Sequence, residues 1–187
     1  MQEKKKTSSK GVLKLTEIKQ LLEIDLTSPS GLRWKVDRNS KARAGDFAGG
    51  LTGGLGDIYY ALGINGKYYK NHRVIYALYY NLELDQLPKQ LDHIDRNKLN
   101  NDPLNLRSAT TSQNAMNRGT NSKNTSGAKG VWWHKASCKW ISCIRFNGVY
   151  KYLGSFEDVE DAKRAYDNAS TILHGEFSYI SNNSKVI

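Results

Sequence analysis

Asp92 and His93 stand side by side in the stretch Leu91-Asp92-His93-Ile94-Asp95, with Asn105 and Asn114 downstream. An acidic residue beside a histidine, followed by two asparagines at these intervals, reads as a one-metal nuclease centre. Hydrolysing a phosphodiester needs a deprotonated water, stabilisation of a pentacovalent anionic transition state, and help for the leaving 3′ oxygen. A neutral histidine, with an unperturbed pKa of about 6.5, can take the water proton. A hard divalent cation held by oxygens can neutralise the charge that develops on the phosphate. Mg²⁺ keeps several of its waters, so one Asp carboxylate and one Asn carbonyl would suffice. The Asp-His pair alone is weak, since chance supplies it often. Geometry sets a further condition. Adjacent residues on a regular strand point to opposite faces, so Asp92 and His93 converge only at a strand end or a bulge.

The elements that must position these residues follow from periodicity. Over 13–26, Leu15, Ile18, Leu22 and Leu26 fall near one helical face, and Thr27-Ser28-Pro29-Ser30-Gly31 breaks the pattern. Short β-like pieces follow at 32–36, 58–64 and 67–69, the last two joined by an Asn65-Gly66 hairpin turn. The apolar segment HRVIYALYY, 72–80, reads as a buried helix in preference to a strand. The glycine run Gly49-Gly50 and Gly53-Gly54-Leu55-Gly56 lacks a following helix and a P-loop lysine, so it does not read as a nucleotide cradle. Residues 118–127 (RGTNSKNTSG) are small and polar, the composition of a linker. Beyond them, strands are expected at 130–134, 138–145 and 149–154, with Asn147-Gly148 turning the last pair. Ser155 with Asp158 suggests a capping box opening a helix. Val159, Ala162, Ala165, Tyr166, Ala169 and Leu173 form its apolar face, and Gly175 ends it.

The chain has 187 residues, with 28 Lys+Arg against 18 Asp+Glu and a net charge of +10. That charge points to a polyanionic partner without choosing among DNA, RNA and a membrane surface. No apolar run reaches the roughly 20 residues of a spanning helix, so membrane insertion is not expected. The start, MQEKKKTSSKGVLKL, has no apolar core of signal-peptide length. Cys138 and Cys143 are expected on one strand, on opposite faces, so neither a disulfide nor a zinc site is expected. A cytoplasmic location follows.

The wider context, DHIDRNKLNNDPLNLRSATTSQNAMN, resembles the HNH endonucleases, in their phage and intron homing branch with a ββα-metal finger. The resemblance extends upstream through RWKVDRN, FAGGLTGGLGDIYYALGINGKYYKNHR and QLPKQLDHID, covering most of 15–118. Carried over by position, it implies His93 as the general base that activates water. Asp92 and Asn114 would be the metal ligands, holding one Mg²⁺ or Mn²⁺ per active site. Asn105 would pin the loop through side-chain to backbone hydrogen bonds. Asn117, one turn after Asn114, would support the site or touch phosphate, and Arg107 is a candidate phosphate contact. His72 is expected as a packing histidine, His174 as a helix C-terminal capping partner, and Asp95 and Asp102 as loop and turn residues.

The C-terminal stretch GAKGVWWHKASCKWISCIRFNGVYKYLGSFEDVEDAKRAYDNAS resembles the APETALA-type (ethylene-response-factor) DNA-binding domain. The landmarks are Gly130-Val131, Trp140, Ile144-Arg145, Leu153-Gly154-Ser155-Phe156 and Ala165-Tyr166-Asp167. The resemblance implies a three-stranded sheet laid in the major groove with a helix behind it. Charge agrees: residues 127–156 hold five Lys/Arg and no acid, and acids begin at Glu157-Asp158, where a helix dipole favours them. By strand alternation Trp140, Ser142 and Ile144 should pack on the helix. Lys139, Cys143, Arg145, Trp132, His134, Tyr150 and Tyr152 should face out. Lys129 and Lys135 complete the expected DNA-binding set. Aromatics and His stand where plant members carry arginines, so a plant target sequence does not transfer.

The expected organisation is an α+β protein: a basic tail (1–11), an HNH domain (12–118), a linker (119–126), an APETALA-type domain (127–181) and a second tail (182–187). The expected activity is metal-dependent nicking or cleavage of double-stranded DNA by a monomer, with no membrane role and no obligatory protein partner. The main rival is a non-cleaving DNA-binding regulator on an HNH scaffold. RNA binding fits the charge but not a major-groove reader, since that groove is too narrow in RNA.

Overall fold

A computed structural model describes residues 13–40, 42–54, 57–121 and 123–179. The two expected tails lie outside these. The chain divides into two compact units, Met1–Ser108 and Ala109–Ile187. The stretch 119–126, expected as a linker, falls inside the second. Both units mix helices with small antiparallel sheets, an arrangement compatible with the α+β class.

In the first unit α1 (Leu15–Leu21) opens on two carboxylates: the Lys14 N–H donates to Glu17 Oε2 at 2.9 Å and the Leu15 N–H to Glu83 Oε2 at 2.8 Å. The helical spacing expected to run to Leu26 ends at Leu21. Leu22 instead begins β1 (Leu22–Ile24), paired antiparallel with β2 (Leu32–Trp34) in the register Leu22↔Trp34 and Ile24↔Leu32. Leu22 is buried either way, at 2% exposure, but Leu26 is 58% exposed and gives a longer helix nothing to bury. β3 (Gly50–Thr52), β4 (Tyr59–Ile64) and β5 (Lys67–Lys70) form a meander. The β4–β5 turn is Asn65-Gly66, both at positive φ (52° and 75°), as a two-residue hairpin of this kind demands.

α2 (Asn71–Tyr80) follows β5 directly and supplies Val74, Ile75 and Ala77 to the core beside Ile18, Leu22, Leu32, Ile64 and Leu106. At its first position Asn71 is fully buried, and its Nδ2 donates to the Ser30 and Ala48 carbonyls at 3.1 and 2.7 Å. Gly49 gives it room. At φ +103° a Cβ there would come within 2.7 Å of Asn71 Oδ1. The unit is completed by the two-stranded sheet of β6 (Gln90–His93) and β7 (Leu106–Ala109).

The second unit begins with α3 (Thr111–Asn117), closed at its start by a capping box between Thr110 and Gln113. β8 (Val131–His134), β9 (Lys139–Phe146) and β10 (Val149–Phe156) then form an antiparallel sheet in the order β10-β9-β8, and α4 (Val159–His174) packs across it. Cys138, expected on the middle strand, sits in the preceding turn at φ 50°, because β9 starts one residue later. Ser155, expected to open the helix, lies in β10 opposite Ile141, and the cap is Asp158, whose carboxylate accepts the Glu160 N–H. A bulge between Tyr152 and Gly154 lets Leu153 and Phe156, of opposite strand parity, both join the cluster of Ile144, Ala162 and Tyr166.

Candidate active site

β6 and β7 carry the chemistry-bearing residues of the first unit. Asp92 and His93 are both buried, at 5% and 7% exposure. Asp92 Oδ2 accepts from Arg107 Nε at 2.9 Å and lies 2.8 Å from Arg107 Nη2, so β7 presents a guanidinium to the carboxylate. His93 is the last residue of β6, a strand end. Its ring meets that of His72, in the first turn of α2, edge to face, with centroids 5.1 Å apart. His72, expected only to pack, therefore sits against the expected base.

Burial disfavours the charged form of both imidazoles, so both stand neutral at physiological pH. It lowers His93 below its ordinary value, although the Asn101 side chain and the carboxylates of Asp95 and Asp92 pull the other way. His72 is taken down to about 3, first by burial and then by the positive charges of His93, Lys70 and Arg73. An unfolded chain titrates His72 at about 6.5, so between that pH and the folded value the unfolded state binds more protons. Stability should thus be full above about pH 6.5 and fall as the pH drops toward the folded value. The urea midpoint is expected to decline from about pH 7.5 to about 5.5, above the carboxylate range, and His72→Gln to flatten part of the decline. A wild-type midpoint constant over that interval would contradict this.

The loop between the strands is tied by a network of side chains around Asn105 and Asp95. Asn105 ends the 3₁₀ turn Pro103–Asn105, which Asp102 caps through the Leu104 N–H. Asn105 Oδ1 accepts the Asp95 N–H at 3.0 Å, and its Nδ2 donates to Asp95 Oδ1 and the Asn100 carbonyl, both at 2.9 Å. Asp95 also accepts the Asn97 N–H and Asn100 Nδ2, at 2.8 and 2.7 Å. Burial pushes its carboxyl upward, yet these bonds hold it below the ordinary carboxylate value. Asp95 is the hub of the loop. Asn101, 4% exposed, reaches across to the Ser30 carbonyl at 3.0 Å.

The remaining expected residues lie on the second unit. Asn114 is half-buried on α3, and Asn117, its last residue, is 4% exposed, which suits support better than contact with phosphate. On the sheet, Trp132, Tyr150 and Tyr152 are 46%, 72% and 63% exposed, and His134, Lys135 and Arg145 are exposed beside them. The Arg145 guanidinium lies over the Tyr150 ring at 5.4 Å, and Lys139 Nζ stands 3.9 Å from Glu157 Oε1. Ser142 and Ile144 are buried and Trp140 packs beside them, the alternation expected of β9. Lys129 differs from the rest of the expected DNA-binding set, because its ammonium is turned to backbone carbonyls. His174 ends α4, with Nε2 3.1 Å from the Arg145 carbonyl.

Three features were missed from sequence. The Thr110-x-x-Gln113 signature could have located the start of α3. The Asp92–Arg107 pair and the His72–His93 contact have no local signal, since their partners lie on different elements. For a metal, the donors on offer are carboxylate and amide oxygens, hard ligands that suit Mg²⁺ or Mn²⁺. Among the described residues no group of three or more His, Cys, Asp or Glu gathers as a metal cluster.

Residues 69–116 match the family model for the HNH endonucleases, a span running from β5 through α2 and the β6–β7 pair into α3. An uncharacterized HNH endonuclease of Acanthamoeba polyphaga mimivirus is 33% identical over 109 residues, 57% of this chain and 54% of that protein. The chain thus spans about half the length of that relative. Protein 3.8 of Escherichia phage T7 is 35% identical over 88 residues, 47% of this chain and 72% of that protein. No solved structure matches. With the matched span covering both buried residues of β6 and the asparagine-tied loop, the chain belongs to the HNH endonuclease family.

Proposed function

We propose that the protein is a metal-dependent DNA endonuclease, of the homing kind, that nicks or cuts duplex DNA at sites chosen by its C-terminal sheet. The observation that carries this is His93: buried at 7% exposure, held below its ordinary pKa, and placed at the mouth of a loop fixed by Asn105. A histidine so placed is neutral at physiological pH and can accept a proton. In the proposed step His93 takes a proton from water as the water oxygen bonds to phosphorus. The bond from phosphorus to the 3′ oxygen breaks, and that oxygen leaves with a proton from solvent. The products are a 5′-phosphate and a 3′-hydroxyl. Asp92 and Asn114 are the residues that would hold a divalent ion, which when bound neutralises charge on the pentacovalent phosphate. Asn105 keeps the loop in register, and Arg107 orients Asp92 through two contacts to one oxygen.

Supercoiled plasmid incubated with Mg²⁺ should become nicked or linear, and EDTA should stop it. Retained DNA binding with no cutting under any divalent ion would favour the non-cleaving regulator. The exposed face of Trp132, His134, Lys139, Arg145, Tyr150 and Tyr152 is proposed as an APETALA-type reader. Arg145 stacked on Tyr150 offers both charge and a planar surface. Arg145→Ala should weaken duplex binding and lower the log–log salt slope by about 0.9, the share of one phosphate. An unchanged slope in a fluorescence-anisotropy titration would remove Arg145 from the interface.

A further inference from the structure

The helix that bears Asn114 is seven residues long, and a helix of that length is marginal in water without tertiary help. Its last carbonyls lack partners within the helix. Lys129 meets them: Nζ donates to the carbonyls of Ala115 at 2.8 Å, Met116 at 2.7 Å and Arg118 at 2.9 Å. An ammonium has three N–H bonds, and all three are accounted for. The backbone behind Lys129 is equally fixed. Gly130 lies at φ +67°, where a Cβ would come within 2.2 Å of the Cys143 carbonyl and 2.4 Å of the Tyr166 ring. Ala128 on the other side is 2% exposed. The lysine is therefore a rigid strut from the sheet to the end of α3.

We propose that Lys129 is a positioning residue for DNA cleavage: it closes the C-terminal end of α3 and so keeps Asn114, a proposed metal ligand, on a formed helix. The inference rests on the nuclease reading above. A cation at a helix C-terminus is favoured by the dipole, and the half-buried setting, with Arg118 nearby, lowers the Lys129 ammonium to about 8. Its role is distinct from that of a phosphate contact, which would leave N–H groups facing solvent.

The test uses the full-length protein with Lys129→Met, Lys129→Gln and Lys129→Arg, measuring plasmid nicking against Mg²⁺ concentration and duplex binding against salt. Positioning predicts a kcat lowered about 10–100-fold in Met, the size of effect a misplaced group produces. Half-saturating Mg²⁺ should rise, and Arg should recover more activity than Gln. Duplex affinity and salt slope should stay at wild-type values. A slope reduced by about one with kcat and Mg²⁺ dependence unchanged would make Lys129 a phosphate contact and overturn the inference. Should Met lose its folded near-ultraviolet signal, Gln and Arg are read in its place, and wild-type kcat in both overturns it. If the wild type itself does not cut with any divalent ion, the nuclease reading fails first, which the wild-type lane alone reveals.

Discussion

His93→Ala is expected to lower kcat/KM for plasmid cleavage by about 10²–10⁴, the usual contribution of a positioned general base. Duplex affinity should be unchanged, since His93 is 7% exposed and belongs to the first unit, whereas the proposed reading sheet belongs to the second. The pH profile sharpens the expectation. Burial lowers the imidazole below 6.5, so the neutral form persists into mildly acidic solution. Activity should be level through neutrality and fall only as the pH drops through the lowered value. The acid limb of kcat/KM therefore belongs below about 6.5, and it should vanish from the residual rate of the alanine variant. An alanine variant cutting at the wild-type rate would sink the assignment of the base.

Arg107→Met is expected to cost about 3–5 kcal/mol of stability, because it strips a counter-charge from a buried carboxylate. The pair is well enclosed, with side-chain exposures of 12% for Arg107 and 6% for Asp92. Solvent therefore does little to screen what remains. The double replacement Arg107→Met with Asp92→Leu removes both charges and should recover much of the loss, as replacement of buried pairs by apolar groups often does. It should still fail to cut, since Asp92 is the proposed metal ligand. Urea unfolding of the two variants separates these effects. A single-variant loss below about 1 kcal/mol would place the pair in the range of exposed surface bridges.

Much of the fold was legible where one local rule acted alone. Asn65-Gly66 and Asn147-Gly148 turn as hairpins because both residues of each accept positive φ. The apolar period of 72–80 appears as α2, and that of 159–173 as α4. Legibility failed where two rules competed. Leu15, Ile18 and Leu22 satisfy a helical face, yet Leu22 also satisfies a strand opposite Trp34, and long-range pairing decided. β3 has no sequence signature at all, because its three residues are exposed and only its backbone pairs with β4. At the candidate site, residue types along one strand were readable. What Asp92 and His93 touch was not, since Arg107 and His72 arrive from β7 and α2.

The polar stretch after α3 looks like the natural seam for recombination, where one C-terminal domain could be exchanged for another. The three carbonyls that Lys129 closes make it a poor one. A chimera spliced within 119–126 would bring a foreign domain without that ammonium, and α3 would fray from its last turn. A crossover placed after Gly130 would carry the strut along with the helix that it closes. The unit that can be inherited intact is longer than its composition suggests, and it ends at the edge of the C-terminal sheet.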